Sequence, residues 1–164
     1  MARVRLHNDD WGYETNCYVC EPTNEHGLRI PFFHDTETDT VVAEIELGFA
    51  HSGAPTLVHG GVVLAVLDEA MAWATIAVAH RWALTSDLRC RFRSAVVLDE
   101  VHRVEARVVD RDDDRLRCEA TVTAPDGTRC TEAEATFVVV GRVHATRLAG
   151  TEVGPEHDSF LDEG

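Results

Sequence analysis

The chain has no lysine. All fifteen basic side chains are arginine, set against 29 acidic ones, for a formal net charge of −14. So little positive charge argues against a nucleic-acid or anionic-membrane partner, because both need a basic field. The start lacks the apolar core of a cleavable signal, since Met1-Ala2-Arg3-Val4-Arg5 runs straight into polar sequence. The five cysteines (17, 20, 90, 118, 130) are odd in number and lie mostly in strand-like stretches, unlike a disulfide framework. Reduced thiols and no signal lead to the expectation of a cytoplasmic protein. No internal repeat is present. At 164 residues the chain reads as one domain, long enough to bury a real core.

Three stretches follow from patterning. Residues 1–27 are polar and turn-rich, with a turn at Glu21-Pro22-Thr23-Asn24. Residues 28–141 form the body, and 142–164 lose pattern, end acidic and are expected to form a mobile tail. Within the body, strands are predicted at 28–33 and 40–48. The second puts Val41, Ala43, Ile45 and Leu47 on one face and Glu44 and Glu46 on the other. Residues 51–58 read as a loop, and a helix runs from about Gly60 to about His80. A meander of four strands follows, near 83–93, 101–110, 115–124 and 128–140, with a tight turn at Pro125-Asp126-Gly127. The fold class is α+β: an antiparallel sheet wrapped around one long central helix. One sheet face cannot enclose a helix that is apolar nearly all round, so a second copy is expected to complete the cover.

That helix carries the chemistry. From Val62 to Ala79 every residue is apolar or small except the pair Asp68-Glu69. Two carboxylates near a bilayer centre would each cost roughly 2.5–3.5 kcal/mol, which argues for a soluble core helix over a membrane span. A buried carboxylate needs a partner or a use. At the helix mouth, His59-Gly60-Gly61 leaves backbone N–H groups open to an anion. A carboxylate and an oxyanion pocket together point to acyl transfer.

The run from His51 to Gly61, His-Ser-Gly-Ala-Pro-Thr-Leu-Val-His-Gly-Gly, is followed by Leu-Asp-Glu-Ala-Met-Ala-Trp-Ala over 67–74. With Cys17 to Leu28 upstream and Thr85-Ser-Asp-Leu88 downstream, it resembles the hotdog-fold thioesterases of the PaaI-like type. The resemblance covers roughly residues 16–140. It implies a hotdog fold, an acyl-CoA thioester substrate, no cofactor and no metal. It also implies Asp68 as the catalytic carboxylate, with the Gly60 amide, and Gly61 beside it, holding the thioester oxygen. Two residues depart from the pattern. Glu21 stands where the group usually has glycine, and Ala72 stands where some members carry a hydroxyl that binds the attacking water. Thr75 lies on the same side of the helix.

Residue by residue, an ionised Asp68 can attack a thioester carbonyl directly or activate a water, and the sequence leaves both routes open. Gly61, Ala65, Asp68, Ala72 and Thr75 form a small-residue stripe with room for substrate or a second helix. Glu69 lies about 100° around the helix and reads as a structural partner, satisfied by backbone or an arginine. His59 positions substrate or holds the helix entrance by hydrogen bonds. His51, Ala72, Thr75, Arg91 and Arg93 are kept as substrate contacts. Arginine suits phosphate, although alternating strand arginines also read as solvent-facing.

Rival readings are weaker. Hotdog dehydratases pair a loop histidine with a helix carboxylate about fourteen residues on, but position 65 is alanine here. Cys17-x-x-Cys20 with His26 and His34 could suggest zinc, yet one CxxC without a second pair is a weak signal. A non-catalytic acyl-CoA-binding protein is the alternative to an enzyme. The acyl group depends on side chains such as Met71, Trp73, Trp82 and Phe92. Gly60 and Asp68 lie about 12 Å apart along the helix, too far to serve one carbonyl. The expected remedy is a homodimer, or a dimer of dimers, with sites shared between antiparallel helices.

Overall fold

The computed structural model describes residues 2–8 and 15–161. Residues 1, 9–14 and 162–164 of the two terminal segments lie outside the described residues. Nine strands and two α-helices follow in order: β1 (Arg3–Arg5), β2 (Phe33–Asp35), β3 (Thr40–Glu46), β4 (Ser52–Ala54), β5 (Leu57–Val58), α1 (Gly60–Ala77), β6 (Ala83–Phe92), β7 (Val101–Arg111), β8 (Arg115–Thr123), β9 (Arg129–Val139) and α2 (Arg142–Ala149). Seven strands form one antiparallel sheet in the order β1-β2-β3-β7-β8-β9-β6, and β4 and β5 form a small hairpin. The long alternating segments are strands as their sequence predicts. Leu116, Cys118, Ala120 and Val122 are buried, and Val41, Ala43, Ile45 and Leu47 are buried opposite exposed Glu44 and Glu46. The hairpin between β8 and β9 turns at Gly127, whose φ of 87° is open to glycine at no steric cost.

The place of β6 differs from expectation. β7, β8 and β9 are a meander, but β6 lies beyond β9 at the sheet edge, and β3 takes the place beside β7. The helix explains this. α1 packs across β3, β6, β7, β8 and β9, so it carries the chain from the β3 side to the opposite edge. One face of α1, with Val63, Val66, Leu67, Ala70, Met71 and Ala74, is buried on Val104, Ala106, Leu116, Val122 and Phe137 of the same core. Each fully buried large side chain there stabilises the fold by about 1.5–3 kcal/mol relative to leaving it exposed. Gly61, Val62, Ala65, Asp68, Glu69, Ala72 and Ile76 lie on the side that stays partly open.

The segment expected to be a patternless tail is also different. Residues 142–149 are helical, and Pro155–Phe160 form a 3-10 helix. Val140, Ala145, Val153 and Leu161 bury one another against Trp82 and Ala149 in a second, small core. The Trp82 amide donates to the Phe160 carbonyl at 2.9 Å, and Arg142 reaches the Val153 carbonyl and the Asp158 carboxylate. Only short apolar runs make this core, so its signal is lost among the surrounding acidic residues. At the other end, β1 lies inside the segment read as turn-rich and pairs with β2 beyond it.

Candidate active site

α1 starts at a fixed entrance. The His59 amide donates to the His51 carbonyl at 2.9 Å, which docks the chain on the 48–51 turn. Gly53 packs so closely that a Cβ there would come within 2.8 Å of His59 Cα, so only glycine fits. His59 is the N-cap: its Nδ1 accepts a hydrogen bond from the Gly61 amide at 2.9 Å. With Nδ1 accepting, the proton of the neutral ring sits on Nε2.

This cap divides the two glycines. The Gly61 amide is committed to His59 and is not open to a thioester oxygen, contrary to the shared role expected for the pair. Among the described residues the Gly60 amide has no acceptor. Gly60 borders a cavity of about 430 Å³ with Val58, Val63, Phe92 and Arg93.

Asp68 lies two turns further along α1. Thr85, at the start of β6, donates its hydroxyl to Asp68 Oδ1 at 2.8 Å. β6 bulges just after this point, between Thr85 and Asp87, and the intervening Ser86 bonds the Thr136 carbonyl instead of a substrate. Thr85 was missed as a site residue. Its only trace in the sequence is the Thr-Ser-Asp-Leu signature, which gives no sign that this hydroxyl faces Asp68.

Thr75 behaves otherwise than expected. It is 1% exposed, and its hydroxyl donates to the Ala72 carbonyl at 2.8 Å. It is therefore a core residue tied to its own helix. Ala72 lines a second cavity, about 400 Å³ and mostly apolar, with Glu69, Trp73, Ile76, Trp82 and Leu148. Of the four side chains expected to shape an acyl tunnel, Trp73 and Trp82 line this cavity and Phe92 the first, while Met71 is sealed in the core.

The arginines and His51 also need revision. Arg93 borders the Gly60 cavity but forms a two-pronged ion pair with Glu132, at 3.0 and 2.9 Å. Glu132 also binds Arg129, and Arg129 and then Arg93 hold its carboxyl below the ordinary range. Arg91 is exposed and out of phase with Leu88 and Cys90, which pack on the core, so it does not join the cavity. His51 buries its Nδ1 with no partner among the described residues, and its contact with the helix mouth runs through its backbone carbonyl.

Among the described residues Glu69 is held neither by backbone nor by an arginine. The Cys17 thiol donates to its Oε1 across 3.3 Å. Burial, and next the charge of Cys17, pushes Glu69 up to about 8. Hydrogen bonding from Cys20, side chain first, brings Cys17 down to about 5, and Cys20 itself is raised. His26 and His34 take no part: His26 is exposed, and His34 Nε2 bonds Asp39 at 2.9 Å.

Residues 56–131 match the family model described as the thioesterase superfamily. Among solved structures, a thioesterase superfamily protein superposes with a TM-score of 0.71 at 23% identity, covering 79% of this chain and 64% of its own. The match thus spans less than two thirds of that relative. A hypothetical thioesterase from Streptococcus pneumoniae, solved with coenzyme A, has a TM-score of 0.59 at 19% identity, covering 62% of this chain and 79% of that one. A Streptococcus mutans protein bound to acetyl CoA has a TM-score of 0.60 at 18% identity, covering 63% and 82%. No curated protein matches the chain. The long helix on its antiparallel sheet is the hotdog fold.

Proposed function

We propose that this protein hydrolyses acyl-CoA thioesters, as a thioesterase of the PaaI-like type. The observation that carries the reading is the Asp68–Thr85 pair on the open side of α1. A hydroxyl that donates its hydrogen bond to Oδ1 keeps lone pairs for a water, and Oδ2 of Asp68 is left to take that water's proton. Thr85 thereby supplies from β6 the hydroxyl that Ala72 lacks, and this favours activation of water over direct attack by the carboxylate. The water oxygen adds to the thioester carbon, and the charge that develops on the carbonyl oxygen is met by the Gly60 amide. Collapse expels the CoA thiolate, which recovers the proton from Asp68, and leaves the free acid. The apolar cavity beginning at Ala72, one turn from Asp68, suits the acyl group.

The Gly60 amide and Asp68 come from different chains in this reading. They are about 12 Å apart on one helix, and a reacting carbon needs both within about 3–3.5 Å. A two-fold homodimer answers this, alone or within a dimer of dimers. Two features support it: the partly open side of α1, and β6, a ten-residue edge strand with Leu84 and Phe92 exposed. The test is release of free CoA from aryl, short-chain and medium-chain acyl-CoA esters. Turnover of at least one class is expected. Tight binding of CoA esters with no turnover of any would favour the non-catalytic acyl-CoA-binding alternative.

A further inference from the structure

The chemistry proposed for Asp68 leaves one reactive cluster unused. The turn at 17–20 lies against α1, where Cys17 Sγ, Cys20 Sγ and a Glu69 carboxylate oxygen all fall within 4.8 Å of one another. Cys17 Sγ lies 3.3 Å from Glu69 Oε1. Donors at about 2.3 Å (thiolate) and 2.0–2.2 Å (carboxylate) from one tetrahedral zinc sit roughly 3.5–4 Å from each other. The cluster is therefore close to a ligand arrangement before any ion arrives.

Its surroundings fit the same purpose. The amides of Val19 and Cys20 both donate to Cys17 Sγ at 3.4 Å, which stabilises a thiolate. Asn8 Nδ2 donates to Cys20 Sγ at 3.4 Å and to Glu21 at 3.3 Å, and Glu21 is in turn fixed by the Thr23 amide and hydroxyl. Such outer contacts orient ligands. Asn8 and Glu69 also border the apolar cavity, which gives an ion a route in. A redox pair would need the two cysteines alone, whereas here an acidic side chain from a distant helix converges on them. The CxxC spacing looked weak because its third donor lies on α1, 49 residues beyond Cys20.

We propose that Cys17, Cys20 and Glu69 bind one zinc ion, with water as fourth ligand, stapling the N-terminal turn to α1 beside Asp68. This is independent of the thioesterase reading, and its test does not use activity. The full chain, reduced and stripped with a chelator, is titrated with zinc against a chromophoric competitor, and separately with cobalt(II) as a spectroscopic probe. One metal per chain is expected, with a thiolate-to-cobalt charge-transfer band. Cys17→Ser with Cys20→Ser should abolish both, and Glu69→Gln should weaken zinc binding at least tenfold while keeping the band. Circular dichroism checks the fold of each variant. If the double cysteine variant does not fold, the wild-type and Glu69→Gln titrations decide alone. The proposal is overturned by wild-type chain that takes up no metal when fully reduced, or by zinc affinity unchanged in Glu69→Gln.

Discussion

The Thr85 hydroxyl donates to Asp68 Oδ1 across 2.8 Å, joining the start of an edge strand to the middle of the core helix. The bulge that follows Thr85 sets its side chain toward α1 while Ser86 turns to the Thr136 carbonyl. A hydrogen bond to a charged acceptor contributes about 1.5–3 kcal/mol. Thr85→Val keeps the shape and removes the hydroxyl, so kcat should fall about ten- to a hundredfold. Thr85→Ser should retain most of the rate. Equal rates for threonine and valine would separate Thr85 from the chemistry.

Asp68→Asn keeps side-chain volume and can still accept from Thr85, but it cannot take a proton from water. Its turnover should drop at least about a hundredfold with an unchanged unfolding midpoint. Glu69→Gln is the matched control one residue on, and its kcat should stay close to wild type. The opposite outcome, an active Asp68→Asn and an inactive Glu69→Gln, would assign the chemistry to the other carboxylate.

His59 caps α1 by accepting from the Gly61 amide. Removing a side-chain N-cap typically costs about 1 kcal/mol. His59→Ala should therefore lower the unfolding free energy by about that amount, read as a lower urea midpoint at constant slope, and His59→Asn should restore much of it. No change in midpoint for His59→Ala would mean that the ring contributes nothing to the helix start.

Most of the architecture was legible in residue periodicity. Leu116, Cys118, Ala120 and Val122 alternate cleanly because one face of β8 is buried and the other is not. α1 was legible because two charged residues interrupt an otherwise apolar run. The position of β6 was not, since alternation shows that a segment is a strand and says nothing of its neighbours. The 142–161 region was hidden because Val140, Ala145, Val153 and Leu161 are too widely spaced to show a period. Within the candidate site, spacing singled out His59, Gly60 and Asp68 as the groups to examine. It could not show that the His59 ring occupies the Gly61 amide, that Thr75 bonds its own helix, or that Thr85 and Cys17 reach the two adjacent carboxylates. Each of those is a contact between side chain and distant element, fixed by packing.

In the proposed dimer each active site takes the Gly60 amide from one chain and Asp68 from the other, and subunit mixing separates the two contributions. Gly60→Pro deletes the amide proton at the first helical position, where proline is well tolerated, and the extended His59 (φ −62°, ψ 130°) suits a following proline. Loss of one oxyanion donor should cost about a hundred- to a thousandfold in kcat. Asp68→Asn alone should be similarly inactive. Unfolded together and refolded as differently tagged chains, isolated mixed dimers should carry one intact site of two and recover about half of the wild-type rate. Mixed dimers that stay as inactive as both folded parents, or a fully active monomer, would contradict the shared site.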